Sequence, residues 1–231
     1  TNGKTTSVRF AKHILRAAGH NVGVSSTDWT AVNERIIDRD DWSGPGGARA
    51  VLREKEVGAA ILETARGGLL RRGLGVERAD AALLTNISED HLGDFGSRNL
   101  DELLDIKWVI SHAVRRDGKL VLNAEDERLV AKAADYDGTL VWFSLDAGNA
   151  IVKAHVDAGG VAFVLDGDEL VRLEGAAREP ICRAAEIPIA LGGAARHNVA
   201  NALSAAALTH SMGVSTADIA TGLTTMQQDE N

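Results

Sequence analysis

Apolar residues fall into two kinds of pattern along this chain. From Thr5 to Ala18 they recur at helical spacing (Val8, Ala11, Ile14, Leu15, Ala18) and Gly19 follows as a stop, which predicts an opening helix. Asn21 to Thr27 reads as a strand. Ser43-Gly44-Pro45-Gly46-Gly47 reads as a loop leading into a short helix from Ala48 to Glu54. Two short uninterrupted apolar runs come next, Ala59-Ala60-Ile61-Leu62 ending at Glu63 and Ala81-Ala82-Leu83-Leu84 ending at Thr85-Asn86. Runs of this length without polar alternation predict parallel strands buried in a sheet. A helix from about Leu100 to Val114, a strand from Lys119 to Asn123, a helix from Glu127 to Ala134 and a strand from Leu140 to Phe143 continue the alternation.

Strand and helix in turn predict an α/β fold with a doubly wound, mostly parallel sheet. The rhythm changes after Ala150. Short alternating stretches up to Leu173, broken at Gly159-Gly160 and at Asp166-Gly167-Asp168, predict hairpins and a small antiparallel subsheet over about residues 150–190. Two helices, about His197 to Met212 and Thr216 to Met226, close the chain.

The 231 residues are 45% hydrophobic and 25% charged, which suits a domain with its own core. A net charge of -8 speaks against non-specific binding to nucleic acid. It leaves nucleotide binding open, because backbone N–H groups, one Lys and Mg²⁺ hold phosphates locally. The single cysteine, Cys182, permits no internal disulfide and fits a reducing, cytoplasmic setting. No signal peptide or membrane-length apolar run is present. The chain opens inside a phosphate-loop pattern that normally follows a buried strand, so a fragment of a longer protein is expected.

That pattern is Asn2-Gly3-Lys4-Thr5-Thr6. Gly3 lets the backbone approach phosphates, Lys4 places a charge on them, the Thr5 hydroxyl can ligate Mg²⁺, and the following helix turns its positive end toward the anion. Glu63 ends a predicted buried strand, at the sheet edge where α/β folds bind ligands. It reads either as a Mg²⁺ ligand or as an ordinary carboxylate paired with Arg66. Asp90-His91 follows the second apolar run, and His91 reads as a metal ligand or as a structural or surface histidine. Lys107 shares a helix face with Leu103 and Ile110. The face alone favours snorkelling of the side chain over a cleft role, although burial would favour a nucleophilic neutral amine.

These pieces occur in an order that resembles the Mur ligase family. Thr1-Asn2-Gly3-Lys4-Thr5-Thr6 resembles its phosphate loop, Thr85-Asn86-Ile87 with Asp90-His91-Leu92 its second signature, and Arg196-His197-Asn198-Val199-Ala200-Asn201 its third. Within that family, Glu63-Thr64-Ala65-Arg66-Gly67-Gly68-Leu69-Leu70-Arg71, Thr27-Asp28 and the Ser43-Gly44-Pro45 stretch resemble the ligase domain of cyanophycin synthetases. Ser88-Glu89-Asp90-His91 and His197-Asn198 look more like ordinary Mur ligases.

The resemblance implies a central ATP-binding domain of a ligase that forms an amide through an acyl phosphate. ATP phosphates would lie on Asn2, Gly3, Lys4, Thr5 and Thr6, one Mg²⁺ on Thr5 and Glu63, and a second Mg²⁺ on His91. Lys107 matches a lysine that several members carry as a carbamate, and His197, Asn198 and Asn201 would contact the adenine region. The implied partners are a small-molecule or peptide carboxylate, an amino-acid amine and a C-terminal domain lying outside this chain. A P-loop kinase or NTPase and a non-catalytic ATP-binding module are the alternatives.

Overall fold

The computed structural model describes residues 3–88 and 99–227. Helix α1 (Lys4–Ala17) buries Val8, Ala11, Ile14 and Leu15 of the stripe its spacing announced, and Phe10 beside them. Strand β1 (Val22–Ser25) follows, then a hairpin of β2 (Thr30–Val32) and β3 (Arg35–Asp38), which the apolar pattern did not announce. Asn33 makes the hairpin turn with a positive φ of 53° and accepts the Val22 amide on its side chain, which ties the turn back to β1. Helix α2 (Pro45–Leu52) starts three residues before the expected Ala48, with Pro45 in its first turn. Strand β4 (Ala59–Leu62) pairs in parallel with β1. These strands make a four-stranded sheet in the order β3-β2-β1-β4.

A short helix α3 (Arg66–Arg72) leads to β5 (Ala79–Leu84). Helix α4 (Leu100–Trp108) ends earlier than its apolar stripe suggested. The Ser111 hydroxyl takes the Trp108 carbonyl at 2.7 Å and the chain tightens into a 3-10 turn, Val109–Ala113. Strand β6 (Val114–Asn123), helix α5 (Glu127–Ala133) and strand β7 (Thr139–Ser144) continue the predicted order.

The stretch from Ala150 departs from expectation. Residues Ala150–Asp157 form helix α6, because Asn149 caps it by accepting the Ile151 and Val152 amides and because Val152 and Val156, four apart, are its buried residues. Strands β8 (Val161–Asp166), β9 (Glu169–Glu174) and β10 (Ala177–Arg183) do form antiparallel hairpins. They extend the main sheet, since β8 also pairs in parallel with β7, and the six-stranded order is β10-β9-β8-β7-β6-β5.

Helices α7 (Arg196–Ser211) and α8 (Thr216–Thr225) close the chain. The six-stranded sheet is wound on both faces. Val121, Val141, Phe143 and Phe163 face the core shared with α1, α7 and α8, while Leu120, Leu122, Trp142 and Val164 face the core shared with α4, α5 and α6. The two-residue period of each strand sorts these side chains.

Three contacts fix the direction of the elements. Arg196, at the start of α7, reaches the Leu145 carbonyl just beyond β7. The Ser7 and Ser204 hydroxyls, buried between α1 and α7, lie 2.9 Å apart. Thr5, in the first turn of α1, bonds Glu63 just beyond β4. The carboxyl ends of β1, β4, β5, β6 and β7 therefore open onto one edge, and the N-termini of α1 and α7 meet there.

Candidate functional site at the carboxyl edge of the sheets

Gly3 caps α1 in the left-handed region (φ 86°), with no side-chain cap and no acidic residue in the first turn. The amide end of the helix is thus left for an anion. A Cβ at Gly3 would collide with the side-chain oxygen of Asn201, so glycine is required on two counts, backbone conformation and space.

Thr5 donates its hydroxyl to Glu63 Oε2 at 3.1 Å and lies 3.0 Å from the Thr27 hydroxyl. The Thr27 amide donates to the same Glu63 oxygen at 3.3 Å. Glu63 is 4% exposed. Burial raises its pKa above the usual carboxylate range, against the pull of the Lys4 charge, the Thr27 amide and the Thr5 hydroxyl. The pairing with Arg66 does not form: among the described residues Glu63 bonds Thr5 and Thr27. Its second oxygen, Oε1, is buried with no hydrogen-bond partner. An acceptor-only oxygen without a donor, beside a threonine hydroxyl, is a donor set that suits a hard divalent cation.

Lys107 is 9% exposed and its Nζ is buried, so the side chain does not snorkel to solvent. It lines the same cavity of about 1040 Å³ as Lys4, Thr27, Glu63 and Asn86. The Thr85-Asn86-Ile87 segment is held from below: Asn123 donates to the Thr85 carbonyl at 3.1 Å and Asp126 accepts the Ile87 amide at 2.6 Å while capping α5.

A model of the Mur ligase middle domain matches residues 1–209. The chain belongs to the Mur ligase family. It is 37% identical over 227 residues to a cyanophycin synthetase of Nostoc sp., covering 98% of this chain and 25% of that protein. A UDP-N-acetylmuramoylalanine–D-glutamate ligase of Acidobacterium capsulatum is 34% identical over 93% of this chain and 40% of its own length. The chain thus spans about a quarter of the length of the cyanophycin synthetases it matches. Among solved structures, MurF from Acinetobacter baumannii superposes with a TM-score of 0.66 at 18% identity, over 100% of this chain and 45% of that one. A folylpolyglutamate synthase/dihydrofolate synthase, solved with Mn, AMPPNP and L-glutamate bound, gives 0.64 at 19%, over 99% and 56%. These two likenesses concern the fold.

In this Mur ligase middle domain the sequence-read residues Gly3, Lys4, Thr5, Glu63 and Lys107 come together, with Thr6 on the next position of α1. Asn201 lies against Gly3, at the phosphate loop itself. His197 is exposed on the first turn of α7, and the Asn198 amide is committed to the Ile189 carbonyl at 2.7 Å. Asn2 and His91 lie outside the described residues, as does Asp90. Asp28 pairs with Arg9 at 2.9 Å, and Arg9 in turn stacks over Trp29. Sequence reading missed the site roles of Thr27 and Asp126. Thr27 ends a predicted strand just as Glu63 does, and that shared position was the available signal. Among the described residues no three His, Cys, Asp or Glu side chains converge on one point, and no helix is long and apolar enough to cross a membrane.

Proposed function

We propose that this chain is the ATP-binding middle domain of an ATP-dependent carboxylate–amine ligase. The observation that carries the reading is the buried Glu63, its second oxygen unpartnered, bonded to the Thr5 hydroxyl at an uncapped helix N-terminus. Family membership and the likeness to cyanophycin synthetases and muramoyl-peptide ligases support it.

In the proposed reaction a substrate carboxylate takes the γ-phosphoryl group of ATP, giving an acyl phosphate and ADP. An amine then displaces phosphate and forms the amide. The residues of this chain position and neutralise charge. Gly3 and the first amides of α1 would cradle phosphates, and Lys4 would sit on the transferring group. Thr5 and Glu63 would hold a Mg²⁺ ion, which supplies positive charge to the phosphoryl oxygens. Asn201 would hold the loop in shape through its contact with Gly3.

Lys107 would act from the cavity wall as a carbamate, formed when a neutral amine adds CO₂, with His91 beside a second Mg²⁺. The rest of the parent chain would bring the amine. The partners are a small-molecule or peptide carboxylate and an amino acid, and cytoplasmic placement fits the reducing setting read from Cys182.

The test is ADP release by the parent protein with and without an amine acceptor. Amine-dependent release that is lost in Lys4→Ala supports the reading. Release that ignores the amine marks a kinase or NTPase, and full activity of the parent in Glu63→Ala and Lys107→Ala marks a non-catalytic module. Carbamylation of Lys107 is read separately, by a ¹³C-carbonyl signal from labelled bicarbonate that disappears in Lys107→Arg.

A further inference from the structure

A second, smaller cavity lies beside the one that holds Lys4 and Glu63. Its volume is about 360 Å³, near the lower end of the range for small-molecule pockets, and it is formed by the loop before α2, the first turn of α2 and helix α3. Ala65 and Gly67 line both cavities, so the two meet just beyond Glu63. The Ala65 amide donates to the Ser43 carbonyl at 3.0 Å, which pins the chain after Glu63 to the loop before α2. Gly68 packs on Gly44 closely enough that a Cβ there would stand 3.1 Å from the Gly44 Cα. Backbone contacts thus set the place of this cavity relative to Glu63.

The chemistry of the cavity is one-sided. Trp42 and Pro45 are the bulky apolar members of its lining, and no Val, Leu, Ile, Met or Phe joins them. The Trp42 indole N–H is shielded from solvent and has no hydrogen-bond partner among the described residues. An indole N–H only donates, so whatever satisfies it is an acceptor. Helix α2 begins with no side-chain cap and with Pro45 in its first turn, which leaves the amide end at Gly46 and Gly47 partly positive. A Cβ on Gly47 would stand 2.1 Å from the Trp42 carbonyl, so glycine is what lets this turn close on the loop before it. Helix α3 adds two guanidinium groups. Arg71 Nε donates to the Gly67 carbonyl at 3.0 Å, which holds that side chain beside the shared wall. Arg72 enters no hydrogen bond or ion pair among the described residues. The carboxylate of the lining, Asp41, is occupied within its own loop, where it accepts the Ser43 amide and hydroxyl. Cations and donors therefore outweigh acceptors here, in a chain whose net charge is -8.

We propose that this cavity is a specificity subsite for a second, non-reacting carboxylate of the acyl substrate, held by Arg71, Arg72 and the Trp42 indole N–H. The proposal rests on the ligase reading, which puts the reacting carboxylate beside Lys4. The second carboxylate then lies past Ala65 and Gly67, and the space suits a group the size of an acidic side chain. A carboxylate pairs with a guanidinium through two parallel charge-assisted hydrogen bonds, whereas a neutral amide in its place leaves the cations unpaired. The subsite therefore selects an acidic peptide over a neutral one. Its residues position the substrate and touch none of the reacting atoms.

Calorimetric titration of the intact parent protein, loaded with Mg²⁺ and AMPPNP so that nothing turns over, tests this apart from catalysis. The probes are the peptide acetyl-Asp-Glu-Asp-Glu and its neutral counterpart acetyl-Asn-Gln-Asn-Gln-amide. The acidic peptide is expected to bind at least about tenfold more tightly than the neutral one. Arg71→Gln and Arg72→Gln are each expected to weaken the acidic peptide about tenfold, and Trp42→Phe, which keeps a ring and removes the donor, about threefold. Affinity for AMPPNP should stay at the wild-type value in all three variants, which separates loss of the subsite from loss of the fold. Equal binding of the two peptides, binding of neither, or variants that leave the acidic peptide unaffected overturns the proposal. A site that takes pyrophosphate and not the acidic peptide also overturns it. The ligase reading fails on a different result, ADP release that ignores the amine, so the two can fail separately.

Discussion

The Thr5 hydroxyl reaches the Glu63 carboxylate at 3.1 Å across 58 positions of sequence. That contact ties the first turn of α1 to the end of β4 and leaves Glu63 Oε1 buried without a donor. Because burial raises the Glu63 pKa, the folded chain holds that proton more tightly than the unfolded one. The stability this contributes is complete below the ordinary glutamate range, about 4.3, and is lost as pH rises through the raised value. Once ionised, the buried carboxylate therefore weighs against folding until a cation offsets it.

Glu63→Gln is accordingly expected to raise the Tm of the magnesium-free chain by about 2–4 °C at pH 7.5, for a gain on the order of 1 kcal/mol. It should also remove any rise in Tm on adding Mg²⁺ with nucleotide. Thermal melts with and without MgCl₂ check both, and a Gln variant that keeps the Mg²⁺ response counts against the metal reading.

Gly3 and Asn201 form a second coupled pair. Gly3→Ala introduces a Cβ at a positive φ and against the Asn201 oxygen. ATP affinity is expected to fall at least about tenfold, or 1.4 kcal/mol. Asn201→Ala in the same chain should restore part of that loss by opening space. Isothermal titration of the two single variants and the double variant measures the coupling.

Helix α8 crosses α1 where Gly222 meets Ile14, and a Cβ on Gly222 would stand 2.5 Å from the Ile14 Cα. Gly222→Val must push the helices apart, at a cost of about 1–3 kcal/mol. The expected fall in Tm is roughly 3–10 °C. ATP affinity measured well below the melt should stay near wild type, because the crossing lies away from Gly3.

Two histidines shape the acid side of the stability curve. Burial lowers the pKa of His155, whose ring packs against Gly160. It also lowers that of His210, which lies 5.4 Å from the Phe163 ring near Arg172 and Lys119. A lowered folded pKa means the contribution is present above the ordinary histidine value, about 6.5, and is lost as pH falls through the folded value. Tm is expected to drop between pH 7 and pH 5, and His210→Gln should flatten that drop. An unchanged slope in the variant assigns the acid loss to other groups.

Cys182 has its thiol pKa pushed up to about 12 by burial, with Glu186 adding to the shift. Its thiolate at pH 8.5 is then scarcer than that of an ordinary thiol by roughly a thousandfold. Reaction with a disulfide reagent should be slow in the native chain and fast in urea. Rapid native labelling contradicts the raised thiol pKa of this half-buried side chain.

The sequence by itself determined the α/β alternation, the amphipathic face of α1, the Gly3-Lys4-Thr5 turn before it and the apolar runs of β4 and β5. Each of these is written in neighbouring residues, through a period of two or 3.6 or a steric need at one backbone position. It misled at Ala150–Asp157, where local β-like apolar alternation lost to the Asn149 cap and the Val152–Val156 spacing. Tertiary structure alone decided that Glu63 bonds Thr5 and Thr27 instead of Arg66, and that Lys107 is buried in the cavity instead of snorkelling. Those outcomes depend on which elements pack side by side, and contacts between distant segments are settled by the burial of the whole core, so no local pattern encodes them.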